Sequence, residues 1–161
     1  MLVKTFGSAV YGVDAVTITV EINICQGINY FMVGLPDNAV KESWSRVESA
    51  LRFNKYHMPR IRIIINLSPA DIRKEGSAYD LPIAIGILAA SEQLKVDNLS
   101  KYIIMGELSL DGKLQPIKGA LPIAIQARKE GYEGIILPIQ NAREAAIVSD
   151  LKVYGVEHLD E

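Results

Sequence analysis

The sequence has almost none of the residues that build disulfides or metal sites. Cys25 is the only cysteine, which excludes an internal disulfide and the cysteine-rich zinc patterns. The two histidines, His57 and His158, lie far apart and in no metal-ligand spacing. We therefore expect ordinary surface histidines and a small, buried, apolar Cys25 within a strand.

Long apolar runs and an excess of basic charge are also missing. The longest apolar stretch, residues 81–90, is shorter than a membrane helix requires and is better explained as a buried helix. The first residues lack the charged leader and apolar segment of a signal peptide. Net charge is −2, which argues against a domain coated with basic surface. We expect one cytoplasmic domain, residues 1–161, with no membrane partner.

The pattern of apolar residues predicts a mixed α/β domain. Strands are predicted over residues 2–10, 15–25, 30–33, 60–67, 135–137 and 152–156. One helix is expected from Pro36 to about Arg52, and others over residues 81–90, 121–130 and 141–148. Asp80 is predicted to cap the second of these helices. Residues 102–110 and 113–115 are predicted to form a hairpin around Asp111-Gly112.

Six short motifs occur in an order that points to a known family. They are Val33-Gly-Leu-Pro-Asp, Ala39-Val-Lys-Glu-Ser, Asn66-Leu-Ser-Pro-Ala-Asp, Lys74-Glu-Gly, Asp80-Leu-Pro-Ile-Ala and Gly106-Glu-Leu-Ser-Leu-Asp-Gly. Together they resemble the amino-terminal region of the ComM/YifB (magnesium-chelatase-related) ATPases, from about residue 3 to residue 158. One departure is the tract Ser77-Ala-Tyr-Asp, where the family usually has a sequence similar to Gly-Arg-Phe-Asp.

The resemblance implies a fold and a context. The fold would be the Lon-protease-like domain, an α/β (α+β) arrangement with a mixed sheet and the left-handed βαβ unit. In complete family members this domain precedes an AAA+ module that binds ATP and magnesium. No Gly-x-x-x-x-Gly-Lys-Ser/Thr motif occurs in this chain, so we expect that module to lie elsewhere and no cofactor here. The complete protein would be a hexameric ATPase that migrates branched DNA in natural transformation and recombination.

The same resemblance indicates whether this chain carries the catalytic residues of a Lon protease. Lon proteases use a serine activated by a lysine, and alignment of the two neighbourhoods places Ala78 at the serine position and Leu121 at the lysine position. Neither residue performs that chemistry. Ser77 and Lys118 lie near but out of register by one and three residues, so a residual Ser-Lys peptidase remains only an alternative. Glu107 and Asp111 flank the predicted hairpin, and because Asp111 lies in the tight turn we attribute this carboxylate pair to turn chemistry and not to acid–base catalysis.

Residues 52–62 form the most basic stretch, with Phe53 and Tyr56 between the cations and no acidic residue. Such a segment suits phosphate contact and base stacking, although cations at a helix carboxyl terminus also complement the helix dipole. A third possibility is an adaptor domain whose basic loop meets an acidic protein. The predicted DNA contacts, all electrostatic, are Arg52, Lys55, Arg60, Arg62, Arg73 and Lys74.

Overall fold

A computed structural model describes all residues, 1–161. Its main feature is a seven-stranded mixed sheet in the order β3-β4-β2-β1-β5-β8-β9, with a separate two-stranded ribbon, β6-β7. The strands are β1 Leu2–Tyr11, β2 Asp14–Cys25, β3 Tyr30–Val33, β4 Arg62–Ser68, β5 Tyr102–Ile104, β6 Glu107–Leu108, β7 Leu114–Gln115, β8 Gly134–Pro138 and β9 Lys152–Val156. The helices are α1 Asn38–Lys41, α2 Ser43–Phe53, α3 Asp80–Ala90, α4 Ala120–Lys129 and α5 Ile139–Ala145, with a 3-10 turn at Leu99–Lys101.

The long hairpin β1-β2 forms the centre of the sheet. It pairs without interruption from Leu2 opposite Asn23 to Tyr11 opposite Asp14. Alternation along β2 buries every second side chain, including Ile18, Val20 and Ile22. This is the pattern that the sequence predicts for a strand with one face in the core.

Helix α3 closes the buried face of that hairpin. Ten of its eleven residues are buried, which confirms the prediction of a helix that is apolar on nearly every side. Gly86 allows the close approach, since a Cβ there would lie 2.5 Å from the Cγ1 of Ile22. Thr5 Oγ1 donates a hydrogen bond to the carbonyl of Pro82 at 2.9 Å, so the helix start is fixed to β1.

Two predicted elements differ from the structure. The helix expected from Pro36 to about Arg52 is divided at Glu42 into α1 and α2. The hairpin expected over residues 102–115 contains only β6 and β7, whereas Tyr102–Ile104 pairs in parallel with β1 and β8 in the main sheet. The first difference is a local break in the helix, and the second concerns long-range strand pairing, which local periodicity does not record.

Parallel pairing adds the outer strands. β3 runs parallel to β4, and β8 runs parallel to both β5 and β9. Together with the antiparallel β1-β2 hairpin, this gives the mixed sheet that the family resemblance implies. No helix of the chain has both the length and the apolar character needed to cross a lipid bilayer.

Candidate functional site

A cleft of about 540 Å³ opens where the chain resembles the Lon active site. Ser8 and Val10 of β1 form one wall, and the loop before α3 forms another through Ser77 and Ala78. Elements distant in sequence therefore meet at one place. The further lining residues include Asp37, Glu75, Glu107, Pro116, Ile117 and Lys118.

The side chain of Ser77 is engaged within this cleft. Its hydroxyl donates a hydrogen bond to Oε2 of Glu107 at 2.7 Å. The sequence analysis attributed Glu107 to turn chemistry, whereas the structure joins its carboxylate to Ser77. Lys118 lines the same cleft, but it is exposed to solvent.

The two positions that align with the Lon dyad do not share a cavity. Ala78 lines the cleft, where its methyl group offers no nucleophile. Leu121 lies in the first turn of α4 and lines a separate apolar depression with Ile125 and Ile147. The surface at these positions therefore presents carbon atoms where the protease chemistry needs a hydroxyl and an amine.

Asp80 holds together the elements behind the cleft. It does not cap α3 as predicted, because Tyr79 is the N-cap residue and no side chain caps the helix. The fully buried Asp80 carboxylate accepts hydrogen bonds from Ser43 Oγ, from Arg46 Nε at 2.7 Å and Nη2 at 3.1 Å, and from Leu108 N at 3.0 Å. It thereby links α2, α3 and the β6-β7 ribbon.

The electrostatics of this pair follow from its surroundings. Burial raises the pKa of Asp80, while the hydrogen bonds from Arg46, Ser43 and Leu108 N oppose that rise. The hydrogen bond to Asp80 raises the pKa of Arg46. With a guanidinium donating two bonds, we take the carboxylate as ionised at neutral pH. Asp80 therefore serves the architecture of the cleft.

Lys74 also lies inside the domain, contrary to the expectation that it contacts phosphate at the surface. Its side chain is fully buried, and burial lowers its pKa. Nζ donates to the carbonyls of Gly34, at 2.7 Å, and Pro69. These bonds fasten the loop after β3 to the loop after β4, which is a structural role.

The other five predicted DNA contacts lie at or near the surface. Arg52 lies in the last turn of α2, 3.7 Å from Glu48, and Arg73 lies 3.7 Å from Glu75. Lys55, Arg60 and Arg62 have no carboxylate within 4.0 Å; Lys55 and Arg60 are exposed and Arg62 is half-buried.

The structure adds a partner for Arg62 that sequence analysis missed. The guanidinium carbon lies 5.3 Å from the centre of the Phe31 ring. Phe31 belongs to β3, which pairs with the strand that Arg62 begins. Phe53, one of the two aromatic residues predicted to lie between the cations, is the last residue of α2 and is 68% exposed. No local sequence signal joins residues 31 and 62, because their contact depends on the parallel pairing.

Sequence comparison with known proteins identifies the relatives of this chain. Residues 20–141 match the protein family described as subunit ChlI of Mg-chelatase. The chain is 45% identical over 152 residues to the uncharacterised protein YifB of Salmonella typhimurium, covering 94% of this chain and 30% of that protein. It is 43% identical over 159 residues to the competence protein ComM of Haemophilus influenzae, covering 98% and 31%.

A shorter match reaches the Lon proteases. Over 73 residues the chain is 32% identical to Lon protease 2 of Bacillus subtilis, covering 45% of this chain and 13% of that protein. These matches confirm the resemblance to ComM/YifB proteins and the Lon-like fold. The chain spans less than a third of the length of YifB or ComM.

Proposed function

Since this chain belongs to the family of the magnesium-chelatase subunit ChlI, we propose that it is the non-catalytic Lon-like domain of a ComM-type AAA+ ATPase. In this role it helps to assemble copies of the protein into a hexameric ring and guides DNA toward the motor module. The motor, with its ATP and magnesium, would migrate branched DNA during natural transformation and recombination. The relative ComM is described as a competence protein, which is consistent with the proposed role in natural transformation.

The observation that carries the DNA-guiding role is the set of unneutralised cations at the surface. Lys55, Arg60 and Arg62 follow α2 and lead into β4, and none has a carboxylate within 4.0 Å. Arg52 and Arg73 are each near a glutamate, so they are weaker candidates. Lys55, Arg60 and Arg62 therefore form the proposed phosphate-contact set.

Three cations on one domain give only modest affinity. Phosphate contacts release counterions and supply binding that does not depend on sequence, but each contributes little alone. A net charge of −2 further limits long-range attraction to DNA. A ring presents several copies of the set around one DNA molecule, and this multivalency raises the overall affinity.

An apolar depression supports the assembly role. It measures about 610 Å³ and is lined by Leu121, Ile125, Ile147 and Val148 with basic neighbours on α4. Ile147 is 72% exposed and Ile125 is 40% exposed, so this surface shows considerable apolar area to solvent. Exposed apolar patches mark protein contacts, and a copy that docks there through a different surface would generate a ring.

Fluorescence anisotropy of labelled duplex, single-stranded and four-way-junction DNA tests the DNA role. We expect binding at low salt that weakens as salt rises, with a slope of log K against log salt of about −2 for a single strand and three contacts. The double variant Lys55→Glu/Arg60→Glu should bind more weakly. The control Lys95→Glu/Lys101→Glu makes the same charge change at exposed lysines elsewhere and should retain more affinity.

The result against this role would be an absence of binding to all three DNAs at low salt. Equal losses in the two double variants would show that total charge, and not the proposed set, governs affinity. Association that does not respond to salt would favour the adaptor alternative.

A further inference from the structure

One face of the main sheet is left open near its edge strand β3. Strand pairing places Phe31 beside Ile64 and Val33 beside Asn66. Directly paired residues of a sheet share a face, so these side chains and those opposite them on β2 form one surface, here called the open face. The open face consists of Glu21, Asn23, Cys25, Phe31, Val33, Arg62, Ile64 and Asn66, with Lys4 of β1 beside Glu21.

The two faces at this edge differ in how they are covered. On the opposite face Tyr30 stacks on Trp44 of α2, with ring centres 4.0 Å apart, and Ile63 and Ile65 are buried. On the open face Phe31 is 47% exposed and Val33 is 48% exposed. An aromatic ring is therefore presented to solvent from a rigid strand.

Arg62 is held in place on this face. A Cβ at Gly27 would lie 2.9 Å from Arg62 Nε, and the positive φ of 128° at Gly27 also favours glycine, so the arginine stem lies against bare backbone. Nε is buried without a hydrogen-bond partner. The guanidinium thus has an aromatic neighbour but no carboxylate, unlike Arg46, Arg52, Arg73 and Arg128.

Glu21, the acidic residue of the open face, already has two polar partners. Asn66 Nδ2 donates to Oε1 of Glu21 at 2.8 Å, and Lys4 Nζ lies 4.0 Å from Oε2. Arg62 and Lys4 together outweigh the single carboxylate. Charge at this face therefore favours an anionic ligand, while the aromatic ring favours a flat one.

We propose that the Phe31–Arg62 pair binds an unpaired base and an adjacent phosphate of single-stranded DNA. Aromatic rings and guanidinium planes both stack on bases, and the free N–H groups of the guanidinium suit phosphate oxygens. Duplex DNA hides its base faces within the helical stack, so the pair selects the single strand. This inference rests on the DNA-guiding role and names the form of DNA that this chain takes.

A pair of oligonucleotides separates stacking from charge. One is a short oligothymidine, and the other is an abasic strand with the same length and phosphate charge. We expect this chain to bind oligothymidine more tightly. Phe31→Ala should weaken that binding about fivefold or more, since stacking on one aromatic side chain is worth at least that factor. The same substitution should leave abasic binding nearly unchanged.

Three further variants define the contribution of each group. Tyr154→Ala removes a 44% exposed aromatic at the opposite edge strand and should retain full affinity. Phe31→Leu keeps apolar bulk but removes the ring, so it should weaken oligothymidine binding even if Phe31→Ala folds poorly. Arg62→Lys keeps the charge but loses the planar group, and it should reduce the preference for oligothymidine over the abasic strand.

The outcomes distinguish this inference from the proposed function. Equal binding of both strands, unaffected by Phe31→Leu, would leave the DNA role intact and overturn the stacking site. Binding to neither strand at low salt would overturn both. A loss in Tyr154→Ala equal to that in Phe31→Leu would also contradict the assignment of stacking to Phe31.

Discussion

At the residue scale, the pair Arg46–Asp80 shows how a buried charge is made tolerable. The Asp80 side chain is fully buried and the Arg46 side chain is 19% exposed. Transfer of the carboxylate out of water is costly, and the guanidinium, a hydroxyl and a backbone N–H offset that cost together. Removal of one partner leaves the other buried and unpaired.

We expect Arg46→Met to lower the free energy of unfolding by about 3–5 kcal/mol, the usual cost of breaking a buried pair. Arg128→Met is the matched control. It removes an arginine whose partner Asp150 is 85% exposed at 3.7 Å, and it should cost less than about 1 kcal/mol. Urea denaturation with an unchanged m-value measures both, and similar costs would contradict the role of burial.

The same variant should respond to pH. Without Arg46, burial still holds the pKa of Asp80 above its ordinary value, so the folded state keeps a proton that the unfolded chain loses. Stability from that proton is complete below the unfolded pKa and is lost as pH rises through the folded pKa. The deficit of Arg46→Met should therefore be smaller at pH 5 than at pH 8, which urea titrations at the two values would reveal.

Residue roles were the hardest part to predict from the sequence. Lys74 was expected at the surface and Asp80 at a helix cap, yet both are buried. Each has a partner far along the chain, Gly34 for Lys74 and Arg46 for Asp80, although Lys74 also donates to the nearby carbonyl of Pro69. Spacing within one helix or loop does not contain that information, because it is set by tertiary packing.

At the element scale, Gly34 controls how β3 joins the sheet. It has a φ of 102°, and a Cβ there would lie 2.1 Å from the carbonyl oxygen of Leu67 in β4. Its own carbonyl accepts the hydrogen bond from Lys74. The turn after β3 therefore depends on both the positive φ and the absence of a side chain.

We expect Gly34→Ala to destabilise the domain by more than about 1 kcal/mol, because conformational strain and a backbone clash add together. Gly76→Ala is the control, since Gly76 also has a positive φ, 87°, but no atom within 4 Å of an added Cβ. It should show the strain alone. Thermal unfolding compares the two, and equal shifts in melting temperature would mean that the Leu67 contact relaxes at no cost.

Most elements were predictable from period and turn chemistry. Strands β1, β2 and β9 and helix α3 agree with the sequence prediction within one or two residues. The predicted strand at residues 60–67 became Arg62–Ser68, a typical boundary error. Strand pairing was not predictable. Strand β5 pairs with β1 and β8, which are distant in sequence, and the apolar pattern of its three residues does not depend on which strands lie beside it.

At the scale of the whole molecule, the fold separates three surfaces. The cleft with Ser77 lies between β1 and the loop before α3, the apolar depression lies on α4, and the open face lies at the β3 edge of the sheet. The motifs that carry the Lon resemblance surround the cleft, so the sequence could locate it. The open face joins residues 21, 31 and 62, and only strand order brings them together.

The cleft lies beside the two segments whose sequences resemble the Lon dyad regions, and its side chains bear on whether a serine–lysine pair can form. Ala78 and Leu121, the positions predicted to correspond to the Lon dyad, line different depressions. The Ser77 hydroxyl donates a hydrogen bond to Glu107, and Lys118 is exposed, whereas a lysine that acts as a base works from a desolvated pocket. The hydrogen-bond partner of Ser77 is thus the carboxylate of Glu107, and the lysine that a serine–lysine mechanism needs is not in contact with it.

We therefore expect no labelling of this chain by a fluorophosphonate probe, which reacts with activated serines. In-gel fluorescence after incubation measures labelling, with a Lon protease as the positive control for the probe. Ser77→Ala should give the same signal as the unaltered chain, and Lys118→Met should do the same. Labelling that disappears in both variants would instead show that Ser77 and Lys118 form an active pair across the cleft.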